Sequence, residues 1–468
     1  MAIILTGGTV VTAVDCYRAD VRIDGEKITA IGYKVQQPGD ECIDARDCYL
    51  FPGGIDPHTH FDLPVGATIT ADDFASGTRA AAVGGTTTVL DFATQNRGES
   101  LARAVANWHA KATGNSYVDY GFHLAVSELS PGVLEEMACL PHTAGITSVK
   151  LYMAYKDVLQ VDDGTLLRML LLAKELGMLV CVHCENGDII DVLVTEAKAQ
   201  GRTAPKYHAL TRPVAAEREA TARAVCLAEV AGAPLYVVHV SSAAALDVIR
   251  EARGKGLAIY AETCPQYLLL DESCYQTQDF SAAKYVMSPP LRPAANQAAL
   301  WAGLCEGSLA TTGSDHCSFN LVGQKELGRD DFSRIPNGGP GVENRFGLLY
   351  TYGVAAGKLT LNQFVAVTAT NAAKLFGLFP QKGTLAVGSD ADIVVWDPAV
   401  KTTISAGTQL QQVDYNLYEG MTQIGKARHV FLRGQHIVND GRLTDDAPAG
   451  RYLMRRPYAA GGDSRVSV

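Results

Sequence analysis

Between residues 54 and 380, short apolar segments alternate with longer helical segments, and this alternation admits few folds. Continuous apolar strands separated by helices are typical of a parallel sheet that helices cover, and eight such units predict a (β/α)8 TIM-like barrel. An open doubly wound sheet is the alternative, although no GxGxxG motif follows an early strand. The predicted strands are a segment that ends at His60 and residues 85–92, 119–127, 146–153, 178–185, 235–242, 257–264 and 310–316.

The two ends of the chain have a different pattern from the middle. Residues 1–53 and 381–443 contain short alternating segments with turn signals such as Asp24-Gly25, which is typical of antiparallel strands. We expect the two regions to be halves of one small β-sandwich domain, with the barrel over residues 54–380. Residues 444–468 are predicted to be a C-terminal tail that packs on a neighbouring subunit.

Composition excludes several classes of protein. The 468 residues are 19% charged and 47% hydrophobic with a net charge of −10, which argues for an ordinary globular protein and against nucleic-acid binding. Charged residues interrupt the longest apolar stretch and the N-terminus has no cationic segment, so we expect neither a membrane span nor a secretory signal. Eleven scattered cysteines predict reduced thiols. A cytoplasmic protein is expected.

Polar residues follow or interrupt five of the eight predicted strands. Because active sites of barrels lie at the carboxyl ends of the strands, these side chains are expected to converge. Together they offer the nitrogen and oxygen ligands that suit zinc or a similar divalent ion. A single histidine in an apolar strand is more often a hydrogen-bonded core residue, so the argument depends on the whole set. The set is His58, His60, Lys150, His183, His239 and Asp315.

Lys150 is unusual because it lies inside the apolar segment ITSVKLYM. An unpaired ammonium is costly to bury and has no lone pair for a metal. Burial would lower its pKa and free an amine that can add CO2, giving an anionic carbamate (N6-carboxylysine) that could bridge two cations. The alternative is a lysine that reaches solvent or pairs with an acid.

Seven motifs along nearly the whole chain resemble the dihydropyrimidinase and D-hydantoinase family of cyclic amidohydrolases. The resemblance implies that His58, His60 and Asp315 bind one metal, that His183 and His239 bind another, and that carboxylated Lys150 bridges them. Members of the family are typically zinc enzymes and homotetramers. The motifs are GGIDPHTHFDLP, SVKLYMAYK, VCVHCENGD, YVVHVSS, VMSPPLRP, GSDHCSF and DDFSRIPNGGPGVENR.

The resemblance also implies a reaction, the metal-assisted hydrolysis of a ring amide to an N-carbamoyl amino acid. Tyr155 would hydrogen-bond the substrate near the scissile amide and stabilise the oxyanion, and Ser288 and Asn337 would hold the ring largely through backbone groups. Asp315 would take the proton of the attacking water and deliver it to the leaving nitrogen. Dihydropyrimidines of pyrimidine breakdown and 5-substituted hydantoins both fit as substrates.

Two alternatives remain at this point. Dihydroorotase or allantoinase is disfavoured because the family pattern for an anionic substrate has an arginine soon after the HxH motif, where this chain has residues 61–64, Phe-Asp-Leu-Pro. The apolar residues of this loop, with those near Tyr152, are instead candidates for lining the pocket of the ring substituent. A non-catalytic scaffold would have lost metal ligands, whereas every expected ligand type is present here.

Overall fold

The secondary structure consists of nineteen strands and thirteen α-helices within the described residues. The structure is a computed structural model that describes residues 2–277, 279–445 and 447–458. The strands are β1 Ile3–Val11, β2 Cys16–Asp24, β3 Lys27–Gly32, β4 Glu41–Asp44, β5 Tyr49–Pro52, β6 Gly54–Thr59, β7 Pro64–Val65, β8 Thr68–Ile69, β9 Thr86–Thr94, β10 Asp119–Ala125, β11 Ser148–Tyr152, β12 Leu179–His183, β13 Leu235–Val237, β14 Ile259–Thr263, β15 Thr311–Thr312, β16 Ile393–Thr403, β17 Thr422–Leu432, β18 Gln435–Asn439 and β19 Arg442–Leu443. The helices are α1 Phe74–Val83, α2 Leu101–Ala112, α3 Pro131–Thr143, α4 Asp163–Glu175, α5 Gly187–Ala199, α6 Lys206–Leu210, α7 Val214–Ala231, α8 Ala243–Gly254, α9 Pro265–Leu269, α10 Ala295–Glu306, α11 Arg345–Leu349, α12 Leu361–Val365 and α13 Asn371–Leu375.

Eight parallel strands, β6 and β9 to β15, form a nearly closed barrel. Each pairs with its neighbour in chain order, from β6 through β9 to β15. The gap between the first and last strands is bridged just beyond them, where the His60 N–H donates to the His316 carbonyl over 2.8 Å. The predicted barrel is therefore confirmed, and the open doubly wound sheet was the wrong alternative.

Two barrel strands are less than half as long as the sequence predicted. Strands β13 and β15 occupy only the first residues of segments 235–242 and 310–316. Just past each strand, a non-glycine residue has a left-handed backbone, His239 with φ 40° and Asp315 with φ 51°. Extended pairing cannot continue through such a residue, so both strands end early and these two side chains lie on the loops at the barrel mouth.

Both helices predicted by residue range are present, and their ends have physical causes. Helix α4 lies within the predicted 163–177 and starts where the Asp162 carboxylate accepts the Thr165 N–H at 2.7 Å. Helix α7 lies within the predicted 213–232 and ends at Gly232, whose φ of 58° suits glycine best.

The two ends of the chain form one nine-stranded sheet. Its order is β19-β18-β17-β16-β5-β1-β2-β3, with β4 beside β1, and most pairs are antiparallel. A separate buried cluster joins side chains from both ends, among them Leu5, Val21 and Leu50 from the first region and Ile393 and Phe431 from the last. The placement of one domain boundary at residues 53/54 and another at 380/381 stays a prediction.

The described part of the tail, residues 447–458, contacts the chain's own barrel. The Tyr452 hydroxyl donates to the Ala144 carbonyl at 2.6 Å, and the Tyr458 N–H donates to the Gly177 carbonyl at 2.7 Å. Arg455 is buried and hydrogen-bonds the Ser148 hydroxyl at 2.9 Å. Packing on a neighbouring subunit stays a prediction, and residues 459–468, on which it also falls, lie outside the described residues.

All eleven cysteines are free thiols. Across the part of the chain that the structure describes, we find no helix with the length and apolar character of a membrane span.

Lys382 joins the nine-stranded sheet to the barrel. Its Nζ lies 2.8 Å from Asp119 on β10, and 3.4 and 2.6 Å from Asp390 and Asp392, which precede β16. Burial alone would lower the pKa of Lys382, but the three carboxylates raise it. The ammonium therefore neutralises a buried acidic cluster between the two parts of the fold.

We expect Lys382→Met to lower the free energy of unfolding by about 3 kcal/mol, because it leaves the Asp392 carboxylate buried without its cation. The measurement is the shift of the urea unfolding midpoint. Lys27→Met is the matched control, since Lys27 also pairs with Asp390 at 2.7 Å but is 47% exposed. That variant should lose no more than about 1 kcal/mol, and equal losses in the two variants would contradict the argument.

Candidate metal centre

Two histidines and an aspartate meet at the mouth of the barrel. His58 Nε2 lies 3.2 Å from His60 Nε2 and 3.1 Å from Asp315 Oδ1, and His60 Nε2 lies 3.4 Å from the same oxygen. The strand β6 carries His58 near its end and the chain just beyond carries His60, so both imidazoles point the same way. This is the arrangement of donor atoms that can hold one divalent ion.

A second pair of imidazoles lies beside the first group. His183, the last residue of β12, places Nδ1 2.9 Å from Nε2 of His239. The ring centres of His58 and His239 are 5.4 Å apart, so the two groups share one pocket. The five side chains predicted to converge from strands one, five, six and eight therefore do so.

Two buried glutamates, which sequence reasoning missed, each contact one ring nitrogen of a pocket histidine. Glu262 on β14 contacts Nδ1 of His58, and Glu185 lies 2.9 Å from Nε2 of His183. A carboxylate at one ring nitrogen holds the proton there, so the other nitrogen keeps its lone pair. In the neutral forms of His58 and His183, the nitrogen with the lone pair therefore faces the pocket, as metal ligation requires. The available signal was an acid inside the apolar segment LAIYAETC and another two residues after His183.

Lys150 lies on β11 in the same pocket. Its side chain is 1% exposed, and its Nζ is 4.8 Å from the ring centre of Phe92, over which His58 and His60 also lie. Within the described residues, no acid pairs with it and no acceptor takes a hydrogen bond from it. Burial lowers its pKa, as the uncharged amine needed for carbamate formation requires. The alternative, a lysine paired with an acid or reaching solvent, does not describe this side chain.

The carboxylates of the pocket favour positive charge at His58. Burial would lower the pKa of His58, but the Asp315 and Glu262 carboxylates raise it to about 9. Burial would raise the pKa of Asp315, but His58 and His60 hold it well below its usual range. The carboxylates therefore create a negative potential at His58, where a positive charge is stabilised.

Tyr155 borders the pocket on a tight turn that follows β11. Its ring centre is 5.3 Å from that of His183, and its φ is 68°. Its carbonyl accepts the N–H groups of Val158, Leu159 and Gln160, which holds this left-handed turn in place. Burial raises the pKa of Tyr155, so its hydroxyl remains a proton donor near neutral pH.

Ser288 and Asn337 lie on two loops that approach the same pocket. The Ser288 side chain lies near enough to Tyr155 to influence its pKa, although burial dominates that shift. Asn337 comes shortly before Gly339, which pairs with His316 next to Asp315. Neither residue's backbone N–H or carbonyl is hydrogen-bonded to any residue that the structure describes, so these groups are available to a ligand.

Comparison with known proteins identifies the kind of protein that carries this pocket. A family model described as the amidohydrolase family matches residues 49–437, which include the whole barrel. The chain belongs to the amidohydrolase family. Members generally bind divalent metals, and the group formed by His58, His60 and Asp315 agrees with that property.

Within the family, this amidohydrolase belongs with the D-hydantoinases and dihydropyrimidinases. It is 55% identical to D-hydantoinase of Geobacillus stearothermophilus over 460 residues, which cover 98% of each chain. It is 42% identical to dihydropyrimidinase of Rattus norvegicus over 464 residues, covering 98% of this chain and 89% of the rat protein. The crystal structure of dihydropyrimidinase from Brevibacillus agri NCHU1002 matches it with a TM-score of 0.97 and 56% identity, covering 98% of this chain and 100% of that one.

One expectation about this amidohydrolase was wrong, since Phe61 does not line a substrate pocket. Its side chain is fully buried, with its ring centre 5.6 Å from that of Phe74 and 5.4 Å from that of His316. Gly77 of α1 leaves the space it occupies, since a Cβ there would lie 2.1 Å from the Phe61 ring. Phe61 therefore packs α1 against the barrel, and in this segment the partly exposed Leu63 and the exposed Pro64 keep apolar side chains near solvent.

Proposed function

We propose that this amidohydrolase opens the ring amide of 5-substituted hydantoins and dihydropyrimidines, using two divalent metal ions, and releases N-carbamoyl amino acids. The observation that supports it best is the meeting of five imidazole and carboxylate ligands in one pocket with the buried Lys150. The naming of relatives at 42–55% identity as D-hydantoinase or dihydropyrimidinase supports the substrate class.

The donor set fits two ions. His58, His60 and Asp315 would hold one ion, His183 and His239 would hold the other, and Lys150 as N6-carboxylysine, formed with CO2, would contact both. Imidazole and carboxylate ligands suit zinc, which we propose as the native metal. When bound, such a pair of ions supplies activation of water near neutral pH and polarisation of the ring carbonyl.

The chain's own residues would bind the ring and move the proton. Asp315, whose side chain is 12% exposed and so reaches the pocket, takes the proton of the attacking water and delivers it to the ring nitrogen that leaves. The Tyr155 hydroxyl donates to the oxygen that gains negative charge. The free backbone groups of Ser288 and Asn337 hold the rest of the ring ureide.

Dihydroorotase and allantoinase activity fit less well. A substrate carboxylate calls for a fixed guanidinium with free donors. Arg212 lies near the pocket, with its guanidinium carbon 5.7 Å from the ring centre of Tyr155. However, its Nη1 lies 2.8 Å from the Glu185 carboxylate, which in turn contacts His183. Arg212 therefore supports the His183 imidazole and is not a free guanidinium for a substrate carboxylate.

We also propose that the protein is a cytoplasmic homotetramer, as the family resemblance implies. A scaffold role without catalysis is disfavoured, because every proposed ligand is present at the pocket.

The test is a comparison of kcat/KM for hydantoin, phenylhydantoin, dihydrouracil, allantoin and dihydroorotate, on protein loaded with zinc and analysed for metal. We expect two zinc ions per chain and turnover of the first three compounds. Turnover of dihydroorotate alone, or protein that binds no stoichiometric metal, would refute the proposal.

Glu262→Gln is expected to weaken metal binding about 10- to 100-fold, because glutamine keeps the shape but not the charge that holds the His58 proton. Competition with a chelator of known affinity measures the change. Glu251→Gln is the control, since Glu251 is an exposed acid on α8 that pairs with Lys255. Equal zinc affinity in all three proteins would show that Glu262 does not orient a ligand.

A further inference from the structure

Lys325 is the second fully buried lysine near the pocket, and the mechanism above does not use it. It is 0% exposed, on a short 3-10 turn at Lys325–Gly328, beyond the last barrel strand. Nothing in the apolar or acidic patterns of the sequence identifies it. A buried ammonium is costly unless hydrogen bonds compensate it, so its partners indicate what it does.

All three partners of the Lys325 ammonium are backbone carbonyls of two loops. Its Nζ lies 2.8 Å from the Val286 oxygen, 2.8 Å from the Pro336 oxygen and 2.6 Å from the Gly338 oxygen. An ammonium has three N–H donors, so the three carbonyls match it fully. Burial lowers the pKa of Lys325 to about 7, and the three acceptors favour the charged form against that effect.

Two of these carbonyls flank Asn337, and the third belongs to Val286, two residues before Ser288. Pro336 and Gly338 are the immediate neighbours of Asn337, and the Gly338 N–H also donates to the Val286 carbonyl at 3.0 Å, which ties the loops together. On the other loop, the carbonyls of Met287 and Pro289 are held by His208 at 2.8 Å and by the Tyr267 hydroxyl at 2.7 Å.

The backbone groups of the two proposed substrate residues therefore differ from those of their neighbours in hydrogen bonding. The carbonyls on both sides of Ser288 and of Asn337 are held by buried side chains, while the backbone groups of Ser288 and Asn337 themselves have no partner among the described residues. These backbone groups lack a partner, while their neighbours are held in place. Such groups can bind a ligand of matching shape without rearrangement.

We propose that Lys325 is a positioning residue that fixes the Ser288 and Asn337 loops at the spacing the substrate ring requires. The proposal rests on the function proposed above, which assigns ring contacts to those two residues. Lys325 touches neither substrate nor metal ligands. Its loss should weaken ring binding in the ground state and the transition state alike, raising KM while leaving kcat and metal content nearly unchanged.

The experiment compares full-length, zinc-loaded wild type with Lys325→Met, which keeps the length of the side chain but has no donors. We expect KM for hydantoin and dihydrouracil to rise about 10- to 100-fold, as unpairing of buried carbonyls implies, with two zinc ions per chain retained. Without substrate, amide hydrogen exchange over residues 286–290 and 336–339 should become faster in the variant. This second readout does not depend on the reaction.

Lys174→Met is the matched control, because Lys174 also donates to a backbone carbonyl, that of Ala231 at 3.2 Å, but between α4 and α7. It should leave KM and the exchange of both loops unchanged. Lys325→Gln, which keeps two donors on a shorter side chain, should give intermediate values and serves if Lys325→Met does not fold. Failure of both variants to fold would mean that Lys325 supports the whole fold, and the proposal would be wrong.

The outcomes separate this proposal from the proposed function. Wild type that turns over no cyclic amide would refute the function, whatever the loops of the variant do. Wild type with normal turnover and Lys325→Met with unchanged KM and unchanged exchange would refute the role of Lys325 alone. A fall in kcat with loss of zinc would also refute it, because it would place Lys325 in the metal centre.

Discussion

Lys150→Ala is expected to lose stoichiometric metal and at least about a thousandfold of kcat/KM. A bridging carbamate would be the one ligand shared by both ions, so its removal leaves each ion with an incomplete set of protein ligands. Metal polarisation of a carbonyl and activation of water contribute several kcal/mol, and about 4 kcal/mol corresponds to about a thousandfold in rate. The side chain is buried beside Phe92, so alanine also leaves a cavity next to the remaining ligands.

Metal analysis by mass spectrometry and turnover of hydantoin measure this effect on the same protein sample. Short carboxylic acids such as acetate or propionate should restore part of the metal content and part of the hydantoin turnover, because a free carboxylate can occupy the space of the carbamate. Lys174→Ala controls for the loss of a lysine elsewhere in the barrel. A Lys150→Ala protein that keeps two ions and its activity would contradict the bridging role.

The barrel and the meeting of its polar side chains were predictable because they follow from local patterns and one rule of topology. Apolar runs such as 178–185 mark strands, and the carboxyl ends of parallel strands meet at one mouth. His183 and His239 are far apart in sequence, yet their place at strand ends brought them to one pocket. The resemblance to a known family then suggested a role for each residue.

The parts that sequence reasoning missed depend on contacts between distant segments. Glu262 looks like an ordinary strand residue until its contact with His58 is known. Lys325 looks like a surface lysine in a polar loop, and only its three carbonyl acceptors show what it holds. Phe61 was a candidate for the pocket because it follows the HxH motif, but its side chain packs on Phe74 in the space left by Gly77.

Asp315→Asn is expected to lower kcat about 100- to 10,000-fold, the range of general acid–base catalysis, while most of the metal stays bound. Asparagine has nearly the same shape and keeps one oxygen for the ion, but it cannot take the proton of the attacking water or return it to the leaving nitrogen. The backbone of Asp315 has a left-handed conformation, which asparagine tolerates better than most residues. The substitution should therefore not disturb the backbone.

The decisive comparison is between chemistry and metal binding in that one variant. We expect single-turnover rates to fall with kcat, while zinc content stays near wild type because His58, His60, His183 and His239 are unchanged. Asp188→Asn, at an exposed acid near the start of α5, should behave as wild type. If the Asp315→Asn protein instead lost rate only in proportion to lost zinc, and added zinc restored it fully, Asp315 would be a ligand without a role in proton transfer.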